Sequence, residues 1–221
     1  MRKLQHTIQR GLSQEYTRNK HDIDKAITRV LSSGRYILGK ELDKFEDNFA
    51  SLVGSKYAVG VGNGFDALYI CLVLTGAGRK FVFIDKELFI ATTNAVELAG
   101  GTRINTPTYA HIIIPVVSPK TGDHNYKDKI IIEDACQAIG MKRTIPSSVT
   151  ASCYSFHPLK KLHCYGDGGA IATNDKQLAK EIKQFRNHGR IGKSKKYSLG
   201  VNSRLDEIQA AVLNVYMKDM L

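Results

Sequence analysis

The sequence predicts an α/β fold with a largely parallel sheet. Three observations carry that prediction: short apolar runs of strand length recur along the chain, segments with helical spacing separate them, and one run passes through a glycine turn straight into an apolar helix. The composition agrees. Of 221 residues, 43% are hydrophobic and 24% charged, which is ordinary for a globular chain with one sizeable core or two small ones.

Ile23, Ile27, Val30 and Leu31 recur at helical spacing, and Leu42, Phe45, Phe49 and Leu52 repeat the pattern after a turn from Gly34 to Gly39, so two amphipathic helices open the chain. Tyr57 to Val61 reads as a strand, Gly62-Asn63-Gly64 as a turn, and Phe65 to Leu74 as the helix that follows. Further strands are expected at Phe81 to Ile84, His111 to Val117, Lys129 to Glu133, Ala151 to Phe156 and Gly169 to Thr173, with a helix around Ile90 to Leu98. Leu178, Ile182 and Phe185 mark another amphipathic helix, which Gly189 is expected to end in a left-handed conformation. Ser203 and Asp206 are spaced as a capping box for a last helix that turns Leu205, Ile208, Val212 and Val215 inward. Its final turn adds Tyr216, Met217, Met220 and Leu221 without a glycine or proline stop. That apolar face is expected to lie open, and so to drive dimerisation through the helix or aggregation.

Several functional classes are excluded by composition. No apolar run approaches the ~20 residues of a membrane helix, and the N-terminus, with Arg2, Lys3, His6 and Arg10, lacks a signal-peptide core, so the cytoplasm is the expected location. Cys71, Cys136, Cys153 and Cys164 have no CxxC spacing, which argues for reduced thiols and against a zinc site. The net charge is +11, with a concentration between Lys176 and Lys196 that includes Lys180, Lys183, Arg186, Arg190, Lys193 and Lys195. Most such side chains form a solvated helix face; the excess also suits an anionic partner such as a diphosphate-bearing substrate. Interleaved aromatics and nucleic-acid modules are missing, which argues against DNA or RNA.

The most informative segment is Ser155-Phe156-His157-Pro158-Leu159-Lys160-Lys161-Leu162, followed by Gly166-Asp167-Gly168-Gly169. A lysine at such a strand-to-loop junction can project its amine into a cleft where burial favours the neutral, nucleophilic form, although a lysine beside a glycine turn is more commonly a solvated surface residue. Ile130 to Ala138 sets Asp134 just past an apolar strand, where ligands of open α/β sheets bind; a helix N-cap is an equally good reading of that aspartate alone. The turn at Gly64 and Phe65 puts backbone N–H groups at a helix N-terminus, which suits a phosphate.

In this order the segments resemble the DegT/DnrJ/EryC1/StrS aminotransferases, the sugar-nucleotide branch of the fold-type I pyridoxal-phosphate (PLP) enzymes. The resemblance is carried by Ser33 to Gly39 with Phe45-Glu46 and Phe49-Ala50, by Phe89-Ile90-Ala91-Thr92, by Glu133-Asp134-Ala135, and by Ser155-Phe156 with Lys160. It continues through Gly166-Asp167-Gly168-Gly169, Arg186-Asn187-His188-Gly189 and Asn202 to Ala211, and so touches nearly the whole chain. It implies a three-layer α/β/α sandwich. It implies that Lys160 holds PLP as a Schiff base and moves protons, that Asp134 pairs with the pyridine nitrogen and keeps the ring an electron sink, and that Gln137 lies near the ring hydroxyl. Phe89 would stack on the ring, although such an aromatic is more commonly plain core. Gly64, Phe65 and Ser155 would bind the phosphate, with only the backbone donating at Phe65, where the family often has threonine. Asn202 matches an asparagine that reaches the phosphate from a neighbouring subunit, which implies a homodimer with shared sites.

The implied reaction moves an amino group, commonly from an amino-acid donor such as glutamate, to the keto carbon of a nucleotide-linked deoxysugar. Two departures stand out. The family's stretch between Gly101 and Glu133 is normally longer, so the sheet is expected to lack some cover. The family also continues past Leu221 into a small C-terminal domain, so residues 1–221 are expected to be the large cofactor-binding domain alone. The rivals are a PLP-dependent sugar dehydratase, where histidine replaces the lysine, and a non-catalytic homologue or basic nucleic-acid-binding protein.

Overall fold

A computed structural model of the chain describes residues 2–85, 89–117, 126–140, 144–190 and 198–220. Its elements run α1 (Arg2–Ser33), α2 (Lys40–Val53), β1 (Tyr57–Val61), α3 (Gly64–Leu74), β2 (Phe81–Ile84), α4 (Ile90–Leu98), β3 (Thr102–Ile104), β4 (Ile112–Ile114), β5 (Ile130–Asp134), β6 (Ala151–Ser155), β7 (Gly169–Thr173), α5 (Lys176–Phe185) and α6 (Glu207–Tyr216). The seven strands form one sheet in the order β1-β7-β6-β5-β4-β2-β3. Every pair from β6 through to β3 is parallel, while β7 runs antiparallel to both β6 and β1.

Alternation along the strands sorts the core into two faces. Ala58, Tyr154, Ala170 and Ala172 turn toward Phe45 and Phe49 of α2 and Leu213 of α6, whereas Val59, Val61, Cys153 and Ile171 pack against Leu68 and Leu72 of α3 and Ile182 of α5. The result is the expected three-layer sandwich. In β4 all three isoleucines are fully buried, as a strand covered on both faces requires. Phe45, Phe49, Tyr154 and Phe156 meet edge-to-face at 5.0–5.3 Å between ring centres.

Some expectations need correction. The edge strand β3 was not foreseen, because three residues with exposed Thr102 and Arg103 give no alternation to read. The strand read over His111 to Val117 pairs regularly only at Ile112–Ile114, with Val116 adding one bridge to Asp134. Gly189 does take a φ of 68°, but α5 has already ended at Phe185. No capping box forms at Ser203. Asp206 caps α6 with backbone geometry alone, and Glu207 does something else: its carboxylate accepts from the N–H groups of Gly39 (2.8 Å), Glu41 (2.9 Å) and Leu42 (3.1 Å). It thereby caps α2, whose own N-cap, Gly39, has no side chain to do so.

The open apolar face expected on α6 is not found among the described residues. Ala211, Val212 and Val215 pack on Ile23, Ala26 and Val30 of the long helix α1, and Met217 is fully buried on the other side, with Tyr216 and Met220 at its margin. Leu221 lies outside the described residues. The argument for aggregation through that helix therefore loses its premise.

The basic run after Lys176 is also less free than its charge suggests. Arg186 is 5% exposed and donates to Glu46 (2.5 Å) and to the Gly60 carbonyl (2.6 Å), while Lys183 reaches the same carboxylate at 2.7 Å. Glu46 also accepts from the Gly60 N–H, so the cluster ties α2, β1 and α5 together. Lys193 and Lys195 fall outside the described residues. Removing one partner of a buried pair strands the other charge, so Arg186→Met should cost about 3–5 kcal/mol. Lys183→Met, at a half-exposed position, should cost under about 1 kcal/mol. Urea unfolding of the two variants checks this; equal stabilities would show that Arg186 is not the clamp.

Candidate functional site

A cavity of about 510 Å³ opens where the C-terminal ends of β5 and β6 face the N-termini of α3 and α4. Gly64, Phe65, Phe89, Asp134, Gln137, Ser155 and Lys160 all line it. Seven of the eight side chains and turn residues singled out from the sequence are thus brought together by one fold. The eighth, Asn202, is not in this cavity. It is exposed and bridges Asn187.

Each residue arrives by a simple local cause. Asp134 ends β5 and is 8% exposed; no helix follows it, so the alternative reading as a helix cap does not hold. Its Oδ1 accepts the Cys136 N–H (3.2 Å), shaping the turn, and its Oδ2 accepts the Thr92 hydroxyl (2.7 Å). Lys160 stands half-buried in the loop after β6, with its N–H on the His157 carbonyl at 2.8 Å. The carbonyl of Lys160 lies 3.2 Å from Nδ1 of His163, and since a carbonyl only accepts, Nδ1 must carry the proton. Nε2 of that buried ring has no hydrogen bond and faces Glu15 of α1 at 3.7 Å. The neighbouring Lys161 is exposed, lies against Gly140 and does not line the cavity.

The floor of the cavity is a helix N-terminus. Asn63 caps α3 by accepting the Asp66 N–H (2.8 Å), which leaves the first-turn N–H groups of Gly64 and Phe65 without a partner among the described residues. A Cβ on Gly64 would sit 2.7 Å from Cβ of Ser155 and 3.0 Å from Sγ of Cys136, so glycine alone lets the helix end approach the serine. The segment beside Asn202 braces the turn: Ser203 accepts from the Gly62 N–H (2.9 Å) and donates to Asp66 (2.7 Å). Phe89, 68% exposed, offers a bare aromatic face at the rim.

Thr92, Cys136 and His157 also line the cavity and were not singled out beforehand. Thr92 stood in a segment already quoted, but nothing in its spacing points at Asp134, 42 residues away. The Cys136 thiol is held well above the ordinary thiol range by burial first and by the neighbouring Asp134 second, which disfavours the thiolate. An amine, a buried carboxylate, partnerless N–H groups and an aromatic rim suit a flat, phosphate-bearing carbonyl compound. Among the described residues no cluster suits a metal ion, and no helix is long and apolar enough to cross a membrane.

Comparison with known proteins identifies the family. The model of the DegT/DnrJ/EryC1/StrS aminotransferase family matches residues 17–110 and 125–220. The dTDP-3-amino-3,4,6-trideoxy-alpha-D-glucose transaminase of Streptomyces venezuelae is 36% identical over 92% of the chain and 62% of its own length. The UDP-2-acetamido-2-deoxy-3-oxo-D-glucuronate aminotransferase of Pseudomonas aeruginosa is 37% identical, over 91% and 65%. The crystal structure of ntda from Bacillus subtilis with bound cofactor PMP superposes with a TM-score of 0.81 at 30% identity, covering 91% of this chain and 53% of that one. The chain thus spans under two thirds of the length of these relatives.

Proposed function

The chain belongs to the DegT/DnrJ/EryC1/StrS aminotransferase family, and on that premise we propose that it is the large, cofactor-binding domain of a PLP-dependent aminotransferase acting on a keto-deoxysugar nucleotide, with glutamate as amino donor. One observation carries the proposal: the fold gathers the Lys160 amine, the buried Asp134 carboxylate and the partnerless N–H groups of Gly64 and Phe65 around one cavity. The absence of a side chain at Gly64 lets the N-terminus of α3 come directly against Ser155, which a Cβ there would prevent. The residues present therefore fit the cofactor.

When bound, PLP supplies an electron sink that stabilises negative charge on the carbon next to the transferred nitrogen. The chain's own groups do the rest. Lys160 would hold the cofactor through Nζ and would serve as the group that takes up and returns a proton. Asp134 would keep a proton on the ring nitrogen, Gln137 would serve the ring hydroxyl, and Phe89 would cover the ring. The N–H groups of Gly64 and Phe65, aided by the positive end of α3, would hold the phosphate together with the Ser155 hydroxyl. Asn202 completes the phosphate site of a second copy, which makes the active form a homodimer. The dTDP- and UDP-sugar specificities in the names of two relatives support the substrate class.

Mass spectrometry of products from a panel of keto-sugar nucleotides with glutamate tests the reaction. In the same assay Asp134→Asn should retain bound PLP while turnover falls at least ~100-fold, the scale of a lost proton-holding group. Wild-type turnover by that variant would sink the role given to Asp134.

A further inference from the structure

We propose that Thr92 is the positioning residue of Asp134, a role that rests on reading the cavity as a PLP site. Thr92 is the third residue of α4 and is 2% exposed. A threonine hydroxyl within a helix ordinarily bonds back to a carbonyl of the preceding turn. Here it turns outward from its helix and donates to Oδ2 of Asp134 at 2.7 Å, a short bond to a charged acceptor. The other oxygen, Oδ1, takes the Cys136 N–H at 3.2 Å. Among the described residues the Thr92 hydroxyl and the Cys136 N–H thus reach different oxygens of the carboxylate, and the two fix the plane of the group as it faces the cavity.

The two donors differ in kind. The Cys136 N–H is backbone and belongs to the turn that ends β5, so it places the carboxylate along the strand. Thr92 comes from a separate element, α4, and sets the remaining rotation of the side chain. Its neighbour Thr93 faces elsewhere and accepts from Arg103 at 3.1 Å. Without the Thr92 hydroxyl, Oδ2 loses this donor, and the carboxylate is free to turn from the orientation in which it would hold the proton of a ring nitrogen.

The test compares wild type, Thr92→Val and Thr92→Ser, each loaded with PLP carrying 15N in the ring. Thr92→Val should weaken PLP binding about tenfold, and its ring-nitrogen resonance should move toward the unprotonated position. Thr92→Ser, which keeps the hydroxyl, should restore both. Thr92→Ala should behave as the valine variant does and serves in its place if valine prevents folding. A valine or alanine variant with wild-type affinity and a wild-type 15N shift would overturn the inference while leaving the PLP site standing. A wild-type protein that binds no PLP would overturn the site and this role together.

Discussion

Lys160→Ala should abolish covalent attachment of PLP and the visible absorbance that accompanies it, while Lys161→Ala leaves both intact. The two lysines are adjacent, yet the loop after β6 sends them apart: Lys160 is half-buried in the cavity wall, and Lys161 is exposed against Gly140. The direction of Lys160 is held at the backbone, by its N–H on His157 and its carbonyl on the His163 ring. A variant lacking the amine loses both the anchor and the proton carrier, so turnover should fall by more than the ~100-fold expected for one lost acid–base group. Borohydride reduction followed by peptide mapping reads the outcome directly. A pyridoxyl group on Lys161, or on neither lysine, would refute the assignment.

The parts of this site that were legible in the sequence are those whose physics is local. Tyr57–Val61, Phe81–Ile84, Ile90–Leu98 and Gly169–Thr173 match the elements read from periodicity to the residue, because each is a short apolar run bounded by turn residues. Asp134 directly follows such a run, whereas Lys160 is singled out only by the resemblance, at its offset from Ser155. What stayed hidden was long-range pairing. Glu207 lies in the first turn of α6, yet its carboxylate serves α2, more than 160 residues earlier. Ser203 looked like a cap and is a brace for the turn at Gly62. Arg186 and Lys183 looked like solvated charge and instead close a buried cluster on Glu46. Polar side chains carry no period, so only the folded chain reveals what they meet. The antiparallel course of β7 was hidden for a related reason: alternation marks a strand without giving its direction.

Gly169→Ala should damage the phosphate cradle from behind. Gly169 opens β7, pairs with Val61 on one side and Ser155 on the other, and lies directly beneath the turn that starts α3. A Cβ there would sit 2.3 Å from the Asn63 carbonyl oxygen, 2.4 Å from its carbon and 2.9 Å from the Gly64 nitrogen. All three are backbone atoms, so no rotamer change can make room, and the turn itself must lift. The cost should reach the upper end of the ~1–3 kcal/mol typical of overpacking, or a fall in Tm of about 6–12 °C for a chain of this size. Because the displaced atoms belong to the turn that presents the N–H groups of Gly64 and Phe65, PLP affinity should fall about 100-fold as well. Gly11 provides the contrast: it lies on the exposed face of α1, a Cβ there meets nothing within 4 Å, and Gly11→Ala should stabilise by about 0.5–1 kcal/mol through helix propensity alone. Thermal unfolding with and without PLP measures both effects on both variants. If Gly169→Ala melts and binds PLP as the wild type does, the turn is free to move, and the phosphate is not held where β7 and α3 meet.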